Sequence, residues 1–98
     1  MGARARHKPK RLAEKLTQIR TSLGLSQNEL IRRLGAEETL TQNKISSYEL
    51  GTGEPSLITL LLYARAANVA MEAIIDDDLD LPARLPSAKK SEGVRRRA

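Results

Sequence analysis

The absence of Phe, Trp and Cys confines the core of this chain to Leu, Ile, Val, Ala and Met, with only two Tyr to add. Straight-chain and γ-branched side chains lose little rotamer freedom in helices, so this palette favours helix over strand. With 98 residues the chain is the size of one small domain, which buries only about 60% of the surface its unfolded form exposes. The lack of Cys excludes a disulfide framework and a thiolate metal site, and fits a reducing compartment. No apolar run approaches the roughly 18 residues that span a bilayer. The basic start MGARARHKPKR has no apolar stretch behind it of the secretory kind. The expected setting is cytoplasmic, associated with a bacterial nucleoid or derived from a phage.

Hydrophobic spacing divides the chain into five short helices. Leu12, Leu16, Ile19 and Leu23 recur at steps of four, three and four, which is one face of a 3.6-residue period. They predict a first helix over 10–23, preceded by Pro9 and ended by Gly24. Ser26 with Glu29 three residues on forms a capping box for a second helix reaching Leu34, with Gly35 at its end. Thr41 is the expected N-cap of a third helix running to Leu50, with Ile45 and Tyr48 inward. The cluster Gly51, Thr52, Gly53, Glu54 and Pro55 is a turn that no helix crosses cheaply. Ser56 caps a fourth, unusually apolar helix over 57–67, closed by Asn68. A short fifth helix is expected over 70–76. Leu16, Ile19, Leu30, Leu34, Ile45, Leu57, Leu61, Ala64 and Ile74 are the expected core. Past Asp78 two prolines and few large apolar residues predict a disordered or loosely docked tail.

The net charge of +5 is concentrated in the two ends. Residues 1–11 carry Arg4, Arg6, Lys8, Lys10 and Arg11 and no acid; residues 12–78 hold six basic and ten acidic side chains; residues 79–98 hold six basic and two acidic. Basic ends attract nucleic-acid phosphates and release counterions without reading sequence. They also serve simply as solubilising tails, and both readings are open here.

The third helix carries the most informative surface. Thr41, Gln42, Asn43, Lys44, Ser46 and Ser47 face outward. Ser, Thr and Asn are mediocre helix formers, so an ordinary solvated face would favour Ala, Glu or Lys instead. A helix lying in the major groove needs short multi-donor side chains of this type, and Gln or Asn can pair with adenine N6 and N7.

Three motifs stand in register around that helix: LSQNEL at the start of the second, ISSYE near the end of the third, and GTGEPSLITLLLYA leading into the fourth. Together, over about residues 12–75, the chain resembles the Cro/repressor-type (Xre-like) helix-turn-helix family. The resemblance implies an all-α, compact five-helix, lambda-repressor-like DNA-binding domain over 10–78. A flexible basic N-terminal arm over 1–9 and a C-terminal tail over 79–98 flank it. It implies sequence-specific binding of double-stranded DNA by a small transcriptional regulator. Gln42, Asn43, Lys44 and Ser47 are then the base-reading candidates, with Lys44 also within range of a phosphate. Gln27, Arg20, Thr41 and Ser46 are the phosphate candidates. The resemblance also implies that Arg20 forks onto Glu49 and so fixes the recognition helix.

Two departures from the family stand out. The connector between the second and third helices is about four residues longer, by the AEET stretch, and carries Glu37 and Glu38. Ile58 and Leu62 are apolar where the family is usually polar. Such a stripe, with Leu50 nearby, suits the seam of a homodimer reading two half-sites. Alternatively Leu79, Leu81 or Leu85 of the tail covers it. The negative balance of residues 12–78 keeps a second function open: a protein-interaction module, such as an antitoxin or a transcription-factor-bridging protein, binding a partner through the C-terminal tail. Asp76, Asp77, Asp78 and Asp80 lack the Gly and terminal Glu of a calcium loop. His7 is the sole histidine. No nucleophile has a base partner, so neither catalysis nor a metal or other cofactor is expected. Any signal is expected to act through a partner, proteolysis or concentration.

Overall fold

In the computed structural model residues 9–86 are described. Most of the basic arm, with Arg4, Arg6, His7 and Lys8, and the tail beyond Pro86 lie outside them. The described residues form five helices and no strand: α1 (Leu12–Ser22), α2 (Gln27–Leu34), α3 (Gln42–Leu50), α4 (Leu57–Ala67) and α5 (Met71–Ile75). None is long and apolar enough to cross a membrane.

The helix starts are set by local chemistry. Ser26 Oγ accepts from Glu29 N at 3.0 Å while Glu29 Oε1 accepts from Ser26 N at 2.8 Å. This reciprocal box satisfies two amides left over at the start of α2. The Glu29 carboxyl is held below the usual carboxylate range, chiefly by the hydrogen bond from the Ser26 backbone. Thr41 caps α3 through Lys44 N, and Ser56 caps α4 through Thr59 N. Asn68 closes α4 in the left-handed region at φ 59°, which Asn tolerates better than most residues.

Leu16, Ile19, Leu30, Ile45, Tyr63 and Ile74 are fully buried at the centre. Each such side chain contributes about 1.5–3 kcal/mol relative to an exposed one. Leu34 and Ala64 are buried as expected, but two other positions are not: Leu57 is 70% exposed and Leu61 only half-buried. The inward face of α4 is Thr59, Leu60, Tyr63, Ala64 and Ala67. In LITLLLYARAA almost every position is apolar, so periodicity offers no contrast from which to phase the helix.

The long connector packs. Leu40 N and Thr39 N both donate to Ala36 O, and Ala36 and Leu40 are buried. Glu37 and Glu38 are left exposed on the resulting turn. The insertion is thus a small anchored turn with its acids outward.

Chain order does not reveal how α1 begins. Its N-cap, Arg11, makes no side-chain capping bond. Instead the Asp77 carboxylate accepts from Lys10 N at 2.8 Å and Arg11 N at 3.0 Å. A negative group at this end also suits the helix dipole. Arg11 Nη1 donates to Asp77 O and Leu79 O, and its Nη2 pairs with Asp80 at 2.7 Å. One turn on, the fully buried Lys15 donates through Nζ to Ala73 O at 2.9 Å and Asp76 O at 2.8 Å. This cation meets carbonyls at the end of α5, where helices leave acceptors unpaired.

Of the tail expected to be disordered or loosely docked, residues 79–86 are described and pack on the core. Leu81 is buried in the core and Leu85 packs against it. Leu85 lines a shallow groove together with Leu23, Arg33 and Ala66. It does not cover Ile58, which stays 65% exposed. Leu62, the other half of the expected stripe, is half-buried against the core.

Candidate nucleic-acid interface

Three helices converge on Glu49, in the last turn of α3. Arg20, near the end of α1, donates to it through Nε at 2.7 Å and Nη2 at 2.9 Å. Its third nitrogen, Nη1, donates to Leu25 O at 3.0 Å. Gln27, the first residue of α2, donates from Nε2 to Glu49 Oε1 at 3.2 Å. Gln42, the first residue of α3, donates in turn to Gln27 Oε1 at 3.3 Å. The fork expected between Arg20 and Glu49 is therefore present, and it continues into two residues expected to touch DNA.

The network has a structural logic. The two partners of the ion pair are only 19% and 9% exposed, so both charges are largely removed from water. The bidentate geometry and the extra donors compensate that removal. The Glu49 hydrogen bond raises the Arg20 pKa above its ordinary value. Tyr63 lies behind the pair, fully buried, and its hydroxyl has no hydrogen-bond partner among the described residues. Burial first, and then the charge of Glu49, drives its pKa up, so the phenol stays neutral.

Around this anchor α3 presents its outer face. Ile45 and Tyr48 point into the core. Gln42, Asn43 and Lys44 are exposed, and Ser46 and Ser47 are half-exposed. Asn43, Ser46, Ser47 and Leu50 stand at i, i+3, i+4 and i+7, which places them on one stripe. Lys44 leans the other way, its Nζ donating to Thr39 O of the connector at 3.2 Å. The Thr41 hydroxyl is occupied as the cap of α3. Ser47 Oγ donates to Lys44 O at 2.8 Å.

Two features of this region are not visible in residue type alone. Gly53 runs so close to α3 that a Cβ there would overlap the Ser47 hydroxyl and force it to turn from its bond to Lys44 O. Leu50, at 73% exposure, sits among the polar residues of the stripe. Expected near the seam of a dimer, it belongs by its seven-residue spacing from Asn43 to this stripe.

No curated protein and no solved structure matches the chain. The sequence model of a family described as Helix-turn-helix matches residues 11–74, from the start of α1 to the end of the core of α5. That span holds the capping box of α2, the α3 stripe and the whole Arg20–Glu49–Gln27–Gln42 network. On this match over more than half its length, the chain belongs to the Cro/C1-type helix-turn-helix family of DNA-binding regulators.

Proposed function

We propose that the protein binds double-stranded DNA in a sequence-specific manner, with α3 in the major groove, and regulates transcription by occupying its site, as a repressor does. The observation that carries this reading is the pinning of Gln42. Its amide is tied through Gln27 and Glu49 to Arg20, so the start of α3 is held at a set angle while Asn43, Ser46 and Ser47 face out. Readout by bidentate amide contacts is worth about 1–3 kcal/mol per base. Such contacts pay only when the reading helix cannot tilt. In this reading Gln42, Asn43 and Ser47 contact base edges. Gln27, Arg20, Thr41 and Ser46 lie toward the phosphates. Lys44, drawn to the connector, swings to a phosphate when DNA is present.

We further propose that two copies act together in the cytoplasm. Leu57 and Ile58, at 70% and 65% exposure, form the apolar part of the outer face of α4. A two-fold contact there would set two α3 helices on half-sites about one DNA turn, roughly 34 Å, apart. Replacing Ile58 with Asp then lowers the sedimentation mass and abolishes binding to paired half-sites.

The test of the main reading is selection of duplexes from a random pool by the full chain. A motif is expected, and Asn43→Ala is expected to relax it at one position. Retention without a motif, with affinity that simply falls steeply as salt rises, would refute sequence reading. It would bring forward a protein-interaction module that binds through the tail.

A further inference from the structure

Leu50 is the one large apolar side chain on the α3 stripe, and the fold makes no use of it. It is 73% exposed and stands outside the buried cluster and the residues packed on that cluster. Its stripe neighbours are otherwise amide and hydroxyl side chains: Ser47 three residues back, Ser46 four back and Asn43 seven back. The left-handed Gly51 follows at φ 81°, so the chain turns away and leaves the Leu50 side chain at the open end of the stripe.

The geometry points to Leu50 as a specificity-determining residue that reads the C5-methyl group of a thymine. This rests on the reading of α3 as the groove-bound helix. Among the four bases only thymine shows an apolar group in the major groove, and apolar side chains recognise it by contact. Seven residues of helix separate Asn43 from Leu50, an axial distance of about 10 Å. At ~3.4 Å per base pair that is about three pairs along the groove. The thymine therefore lies about three pairs from the base that Asn43 reads. Amide and hydroxyl donors over one end of the site and a methyl contact over the other would give it polarity. The site then has a defined direction along the duplex.

The experiment uses the full chain and the duplex it selects from a random pool. Single thymines are replaced by deoxyuridine, which removes the methyl group and keeps every hydrogen-bonding group. For one thymine, about three pairs from the position relaxed by Asn43→Ala, the wild type is expected to lose about fourfold in affinity. That factor corresponds to the ~0.8 kcal/mol transfer of one methyl-sized group. Leu50→Ala is expected to show no loss on the same replacement, and to melt at the wild-type temperature because the side chain is exposed. The proposal is overturned if no thymine responds, or if wild type and Leu50→Ala respond alike. It is also overturned if Leu50→Ala lowers the sedimentation mass, which would assign the residue to a contact between copies. In each of these cases the selected motif and its sensitivity at Asn43 would persist. If the wild type selects no motif at all, the groove-bound reading of α3 fails instead, and the Leu50 proposal falls with it.

Discussion

Glu49→Gln tests whether the inter-helix network orders the reading surface. The substitution keeps the shape of the side chain and removes its charge. One carboxylate oxygen becomes an NH2 group facing a donor, so one of the two Arg20 contacts, at 2.7 and 2.9 Å, is replaced by an opposition of hydrogens. Hydrogen bonds to charged groups contribute about 1.5–3 kcal/mol, and stripping a buried cation of its partner costs about 3–5 kcal/mol. Arg20 keeps its bond to Leu25 O and is 19% exposed, so water and that carbonyl offset part of the loss. The expected destabilisation is ~2–3 kcal/mol, which lowers Tm by roughly 10–20 °C in a domain this small. Thermal melts and urea titrations measure it. Because the pair is shielded, the effect should persist in high salt. Replacing Arg20 and Glu49 together by Met should cost far less than either single change, since a buried pair is often exchanged for apolar packing at little cost. A Glu49→Gln variant within ~0.5 kcal/mol of the wild type, the range of ordinary surface changes, would refute the reasoning. DNA selectivity should fall alongside stability, because the residue to which Gln27 and Gln42 are tied is itself held less firmly by Arg20.

Three further outcomes follow from the described contacts. Tyr63→Phe should raise stability by about 1 kcal/mol in urea titration, since it removes a buried hydroxyl that has no partner. Lys15→Met should cost about 2 kcal/mol by leaving Ala73 O and Asp76 O without their donor, and hydrogen exchange should quicken first in α5. The lowered Glu29 pKa makes the start of α2 acid-sensitive. Its contribution is complete above the ordinary carboxylate value and disappears as pH falls through the depressed one. The Ser26 amide resonance should follow that loss, and should become insensitive over the same range in Glu29→Gln.

The parts of the fold written in local chemistry were legible from the sequence. Ser26, Thr41 and Ser56 each mark a helix start because a cap depends on residues three apart. Gln42, Asn43 and Ser47 are recognisable as an outward face because Ile45 and Tyr48 supply the contrast. Where contrast is weak, reading fails: in the largely apolar α4 the expected core residues are Leu57, Leu61 and Ala64, and of these only Ala64 is on the buried face, with Leu60, Tyr63 and Ala67. The other losses are long-range. Asp77 looks like one of four surface acids, and Lys15 like a solvated lysine. Their roles exist only because residues 58 to 67 positions apart meet. Ala36 and Leu40 were missed for a different reason, since an inserted turn has no periodicity by which its anchors can be recognised.

The clasp of Asp77 and Lys15 around the start of α1 has a consequence for how the chain is made. α1 is synthesised before the other four helices, yet its entry is completed by groups that follow it by up to 68 residues. Closing a loop of that size carries an entropic cost that must be met before the contacts repay it. A ribosome-bound chain can therefore hold α2, α3 and their local caps while the front of α1 is still frayed. The start of α1 gains these partners only once the acidic stretch has been made, so amide protection there should lag behind that of α2 and α3 during synthesis.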